Sequence, residues 1–222
     1  MSWISGAPYV PYESFYPEVM PFFPGVPEPM IVNAIRNACI EFCTRSDWLL
    51  YTPYPQQLTA EENEYDLTLD LPVGTAVTRV QSAWANQLPL TPKDEEDLRR
   101  IYGLDWRNLS GMPAFFTQYT TDTLILAPWP TQTYPAALGL TLVIQPRQDS
   151  ATCDPSLLYR WKETIAAGAR SRLYQVPGQA YESPKMADRL GLQFNSGVSD
   201  AIRQRNQGLT RATLRIRPRR FV

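Results

Sequence analysis

The sequence predicts an α+β fold: a helical bundle of about three main helices carrying a small inserted antiparallel β-domain, with extended arms at both termini. Three observations predict it. Apolar residues recur at helical spacing after residue 30 and again after residue 154. The stretch between them alternates polar with apolar residues and is punctuated by turn signals. Prolines crowd the first 29 residues and arginines the last 22. The expected divisions are 1–29, a Pro/aromatic-rich N-terminal arm; 30–60 with 150–208, the helical core domain; 61–149, the inserted β-domain; and 209–222, a basic C-terminal arm.

The N-terminal arm holds Pro8, Pro11, Pro17, Pro21, Pro24, Pro27 and Pro29. That density argues against a helix or a central strand. The gaps carry Trp3, Tyr9, Tyr12, Phe15, Tyr16, Phe22 and Phe23. Disordered segments are poor in aromatics, so this arm is expected to be extended but pinned to a surface, and to contact a neighbouring subunit.

The first helix follows Pro29, with Val32, Ile35, Cys39, Phe42 and Cys43 along one face. Strands are expected over 65–71, 77–84 and 87–90. Thr91-Pro92-Lys93-Asp94-Glu95-Glu96 reads as a helix start, with Thr91 as cap, proline at the first position and acids in the first turn. A hairpin is expected from 115–119 and 123–127 across Thr120-Thr121-Asp122, and a last strand over 138–144. Asp154-Pro155 opens the next helix, faced by Leu158, Trp161, Ile165, Ala169 and Leu173. Ser183-Pro184 opens another, with Met186, Leu190, Phe194, Val198 and Ile202 at steps of four.

Composition excludes several chemistries. The 222 residues contain no histidine. A Ser-His-Asp triad, a Cys-His dyad and an HExxH zinc site are therefore ruled out. No GxxxxGK[ST], GxGxxG or GxSxG run occurs. The acid clusters Glu61, Glu62, Glu64, Asp66 and Asp94, Glu95, Glu96, Asp97 read as solvated surface, the second placed to suit a helix dipole. Cys39 and Cys43 read as small core residues, and Trp161 as core. Trp84, Trp106 and Trp129 are expected to pack around the β-domain. No catalytic, cofactor-binding or metal residue is expected, and the chain is read as a non-enzyme. The longest apolar run, 136–144, is too short to span a membrane. Met1-Ser2-Trp3-Ile4-Ser5-Gly6 lacks a signal-peptide pattern, so cytoplasmic synthesis with free thiols is expected.

The near-neutral total charge of -1 conceals a split. Arg203, Arg205, Arg211, Arg215, Arg217, Arg219 and Arg220 give residues 201–222 a charge of +7, leaving -8 for residues 1–200. Arg211, Thr213, Arg215, Arg217 and Arg219 occupy odd positions; Ala212, Leu214, Ile216 and Pro218 occupy even ones. A period of two describes an extended strand with a cationic and an apolar face. The arm is expected to add to a partner through Arg211, Leu214, Arg215, Ile216, Arg217, Arg219, Arg220 and Phe221, its arginines meeting carboxylates.

Several stretches together resemble a known family. They are Ile31-Val32-Asn33-Ala34-Ile35-Arg36-Asn37-Ala38-Cys39-Ile40-Glu41-Phe42-Cys43 with Ser46-Asp47-Trp48; Gly111-Met112-Pro113 leading to Phe115-Phe116-Thr117; Leu124-Ile125-Leu126-Ala127-Pro128-Trp129-Pro130; and Ile165-Ala166-Ala167-Gly168-Ala169-Arg170-Ser171-Arg172-Leu173-Tyr174. In that order the chain resembles the head-to-tail adaptor (connector) proteins of tailed bacteriophages, particularly short-tailed ones, over most of residues 15–205. The resemblance implies a structural virion protein at the head–tail neck. It implies a ring, usually of twelve copies, beneath the portal protein, extending the DNA channel and presenting a surface to the next tail (nozzle or fibre) protein. A C-terminal arm docked on the portal is implied, as is genome DNA passing through the lumen without sequence-specific binding. Two other readings stand beside it: a carbohydrate-binding or carbohydrate-processing tail protein using the tryptophans, and a DNA-binding accessory protein using the arginine arm.

Overall fold

The computed structural model describes residues 9–208. These divide into two units, residues 9–12 with Leu49–Ser156, and Glu13–Trp48 with residues 157–208.

The first unit is built on one long strand. Its strands are β1 (Val10–Pro11), β2 (Leu50–Tyr51), β3 (Gln56–Leu58), β4 (Glu64–Asp66), β5 (Thr75–Ala85), β6 (Leu88–Pro92), β7 (Phe115–Thr117), β8 (Thr123–Ala127), β9 (Tyr134–Pro146) and β10 (Thr152–Cys153). A helix, α3 (Glu95–Tyr102), follows β6. The main sheet has eight strands in the order β2-β9-β5-β6-β7-β8-β4, with β3 also on β9. β9 alternates intermediate with buried residues from Gly139 to Leu142 and is long enough to pair with β2, β3 and β5. β5 shifts register against β9 twice, between Val77 and Arg79 and between Val80 and Ser82. Each extra residue bends and twists the strand, which curls the sheet. Asn86 and Gln87, both at positive φ, close the tight turn from β5 to β6. β1 and β10 form a separate two-stranded ribbon.

The second unit holds α1 (Tyr16–Val19), α2 (Glu28–Ser46), most of α4 (Pro155–Tyr174) and α5 (Pro184–Gln207). α2 buries Ile31, Ile35, Cys39, Phe42 and Cys43, and the Phe42 ring lies 5.3 Å from Trp161 on α4. Close approach of α4 and α5 depends on two glycines. A Cβ at Gly168 would stand 2.6 Å from Phe194, and one at Gly197 only 2.4 Å from Thr164.

The expected fold class is therefore corrected. Among the described residues the chain is a mixed α/β structure with five helices and an eight-stranded sheet. It is not a three-helix bundle with a small inserted β-domain. The β-region is larger than expected because β2 and β3 are two- and three-residue strands amid Pro53 and Pro55, too short to show a period. Nor is the sheet wholly antiparallel, since β6 pairs with β7 in parallel. Over its described part, residues 9–29, the N-terminal segment is not an extended arm. Tyr12–Phe15 and Met20–Phe22 are 3₁₀ turns flanking α1. Pro17 and Pro21 sit in the first turns of their elements, where the missing N–H costs no hydrogen bond.

Smaller corrections concern phase. The buried residue opening the α4 face is Leu157 rather than Leu158, and Met186 is exposed where Ala187 is buried. Leu88–Pro92 belongs to a strand, so α3 starts later, capped by Asp94 rather than Thr91. The Asp94 carboxylate accepts the Asp97 N–H at 2.7 Å. The expected strand over 65–71 ends at Asp66, whose carboxylate accepts the N–H and hydroxyl of Thr68 and turns the chain.

Candidate interaction surfaces

The seven N-terminal aromatics take different places. Tyr12, Phe15 and Phe23 are buried within their own chain. Tyr12 Oη lies 2.8 Å from Ser150 Oγ. The Phe23 ring packs 4.7 Å from Tyr174 and 5.3 Å from Tyr181. Tyr9 and Tyr16 are half-buried. Phe22 is 50% exposed, with the Arg170 guanidinium 4.7 Å from its ring centroid. Trp3 lies outside the described residues.

Tyr9 lines a recess with Leu49, Ile144, Pro146 and Asp154. Burial, then Asp154, then Tyr51 push its phenol up to about 12. Asp154 is 2% exposed and caps α4, its Oδ1 accepting the Ser156 N–H at 2.8 Å. Its Oδ2 is buried with no hydrogen-bond partner.

The expected portal-binding residues Arg211, Leu214, Arg215, Ile216, Arg217, Arg219, Arg220 and Phe221 all lie outside the described residues. The two arginines before them are structural. Arg203 bonds Asp200 at 2.7 Å within α5. Arg205 Nη1 reaches Asp47 Oδ2 at 2.5 Å, the side chains only 19% and 10% exposed. Asp47 sits in the left-handed conformation that ends α2. Both arginines of the basic run that lie among the described residues are thus paired with acids. Residues 9–208 hold 16 bases against 22 acids, net -6, and residues 209–222 hold five arginines and no acid.

The acid clusters come together in no cleft. Glu61, Glu62, Glu64 and Asp66 are exposed on and before β4. In the second cluster Asp94 is the α3 cap, Glu95 pairs with Arg99 at 2.8 Å and Glu96 with Arg100 at 3.6 Å. Lys93, bonded to Asp97 at 2.9 Å, holds that carboxyl below its usual range. Among the described residues no group of three or more His, Cys, Asp or Glu is placed to hold a metal. No described helix is long and apolar enough to cross a membrane.

The described tryptophans form no common platform. Trp106 is buried with Leu98, Ile125 and Ala127. Trp48 and Trp161 are buried in the helical unit, their rings 5.2 Å apart. Trp129 is half-buried, and Trp84 is 37% exposed against Gly139. Cys39, Cys43 and Cys153 are buried free thiols.

Two features escaped the sequence reading. On α2 and α4, Glu41 pairs with both Arg45 and Arg172, and Arg45 Nη1 also reaches Asn195 at 2.8 Å. The spacing of Glu41 and Arg45 was a local signal for the first pair; the others span more than a hundred residues. The second feature is a groove of about 510 Å³ beside the start of β5, lined by Leu71, Val73, Val77, Asp122 and Arg147 among others. Its lining joins residues 68–77 to Asp122 and Arg147, a grouping that no short motif records. No protein-family model matches this chain, and no curated protein matches it.

Proposed function

We propose that this chain is a structural virion protein, a head-to-tail adaptor that forms a ring beneath the portal protein and joins the capsid vertex to the tail. The observation that carries the reading is the division of charge: a body of net -6 ends in a segment with five arginines and no acid. The ordered set of motifs resembling the adaptor family gives that division its context.

In this reading residues 209–222 add to the portal as an extended strand. Arg211, Arg215, Arg217 and Arg219 meet portal carboxylates, with Arg220 beside them. Leu214 and Ile216 fill apolar slots on the opposite face, and Phe221 anchors the end. One arm gives modest affinity; twelve on one ring give avidity. Of the described N-terminal aromatics, Phe22 offers the largest exposed ring to a neighbouring copy. The acidic body repels the phosphates of genome DNA, which lets the duplex slide through without sequence-specific contact. The lower face of the ring receives the nozzle or fibre protein.

Mass measurement tests the assembly. The isolated chain should run as a monomer, and mixing with portal rings of the same virus should add about twelve copies per ring. Portal rings that gain no mass would remove the reading.

A further inference from the structure

Within the helical unit, α2, α4 and α5 border a cavity of about 230 Å³. Glu41, Arg172, Gln175, Phe194 and Asn195 line it. A single water needs only roughly 10–15 Å³ of such space, so the cavity admits a small organic group. The side chains of Glu41 and Arg172 are 38% and 29% exposed, which leaves the cavity open to solvent.

Two guanidiniums and one carboxylate meet there. Glu41 Oε1 accepts from Arg45 Nη1 at 2.8 Å, and Glu41 Oε2 accepts from Arg172 Nη2. Both guanidiniums lie 5.9 Å from the centroid of the Phe194 ring. Further bonds fix their positions. Arg172 Nη1 donates to the Gly168 carbonyl at 3.1 Å, and Arg45 Nη1 donates to Asn195 Oδ1 at 2.8 Å. Among the described residues Glu41 is the acid that both arginines pair with. The group therefore carries one positive charge more than it balances.

It also carries spare donors. A guanidinium has more N–H groups than these bonds use. With its Oδ1 taken by Arg45, the Asn195 amide has its NH₂ left to donate, and the Gln175 amide stands on the same cavity wall. Surplus donors and one surplus positive charge call for an anion. A dianion would exceed that charge and stand against Glu41; a monoanion balances it. A carboxylate accepts two parallel N–H bonds from one guanidinium, and its carbon stem suits the Phe194 ring.

We infer that this cavity binds a carboxylate monoanion, with Arg172 as its main partner, Arg45 as the second charge, and Gln175 and Asn195 as amide donors. The inference does not rest on the adaptor reading. A free organic acid and an acidic side chain on a partner polypeptide present the same chemistry.

Titration of the full-length chain tests it, followed by the NMR signals of the arginine Nε–H and glutamine side-chain amides at constant ionic strength. Sodium acetate should shift the Arg172 and Gln175 signals along saturable curves. Sodium sulfate should bind at least about tenfold more weakly, since its second charge opposes Glu41. Linear shifts without saturation by acetate, or sulfate binding as tightly as acetate, would overturn the inference. Arg172→Gln should abolish saturation, but it also breaks the Glu41 pair. Gln175→Ala leaves that pair intact. It should weaken acetate binding about tenfold, the worth of one hydrogen bond, with an unchanged urea midpoint. Unchanged acetate affinity in Gln175→Ala would also overturn the inference. A blocked Gly-Glu-Gly peptide separates the two sources. Binding tighter than acetate assigns the site to an acidic partner segment, and equal or weaker binding assigns it to a free acid.

Discussion

In the helical unit, α4 and α5 approach so closely that Gly168 and Gly197 leave no room for a methyl group, and Arg205 buries its charge against Asp47. In the sheet unit, among the described residues, β6 pairs with β5 only over Ala83–Ala85, and Val73 stands almost wholly in water. The two units hold similar proportions of apolar side chains but close differently. Helices satisfy their backbone internally, so their side chains alone decide the fit. A sheet is satisfied only by another strand.

The contrast can be broken most forcefully at Phe194. Its ring fills the space that Gly168 leaves and is 4% exposed. Phe194→Ala should cost roughly 3–5 kcal/mol in urea unfolding, through lost burial and the cavity left behind. A loss under about 1 kcal/mol would mean the helices re-close around the gap, and the comparison with the sheet unit would fail.

A smaller effect is expected in the sheet unit. Asp94→Ala removes the α3 cap that accepts the Asp97 N–H. The expected loss is about 1 kcal/mol. Local exchange of the first α3 amides should rise, while amides of α2 and α5 should not change.

The smallest effect appears only in alkali. The Tyr9 phenol titrates at about 12 when folded, against an ordinary 10.0. An unfolded chain releases that proton more readily, so the neutral phenol stabilises the fold below pH 10. That contribution is lost as pH rises from 10 toward 12. Stability should therefore fall more steeply with pH over that window in the native chain than in Tyr9→Phe. Parallel curves would show that burial beside Asp154 and Tyr51 does not act on this phenol.

Long periodic runs were legible in the sequence, and short or relational features were not. α2, α4, α5 and the β7–β8 hairpin follow from spacing over five or more residues. β1, β2, β3 and β10 are two or three residues long and carry no period to read. The parallel pairing of β6 with β7 depends on where separate segments meet. The N-terminal segment misled through proline density, because Pro17 and Pro21 occupy first-turn positions where a helix tolerates them. Its aromatics misled for a related reason. Tyr12 finds Ser150 across 138 residues of sequence, a partnership no local pattern signals. Charge clustering identified the basic end but overstated it, since Arg203 and Arg205 already have acids within the helical unit.

The decisive measurement is co-sedimentation with portal rings of the same virus, using the full chain and a chain lacking residues 209–222. An adaptor that hooks on through its arginine segment should pellet with portal only when that segment is present, while both chains unfold at the same urea concentration. Truncated protein that pellets as fully as the intact chain would contradict the central claim.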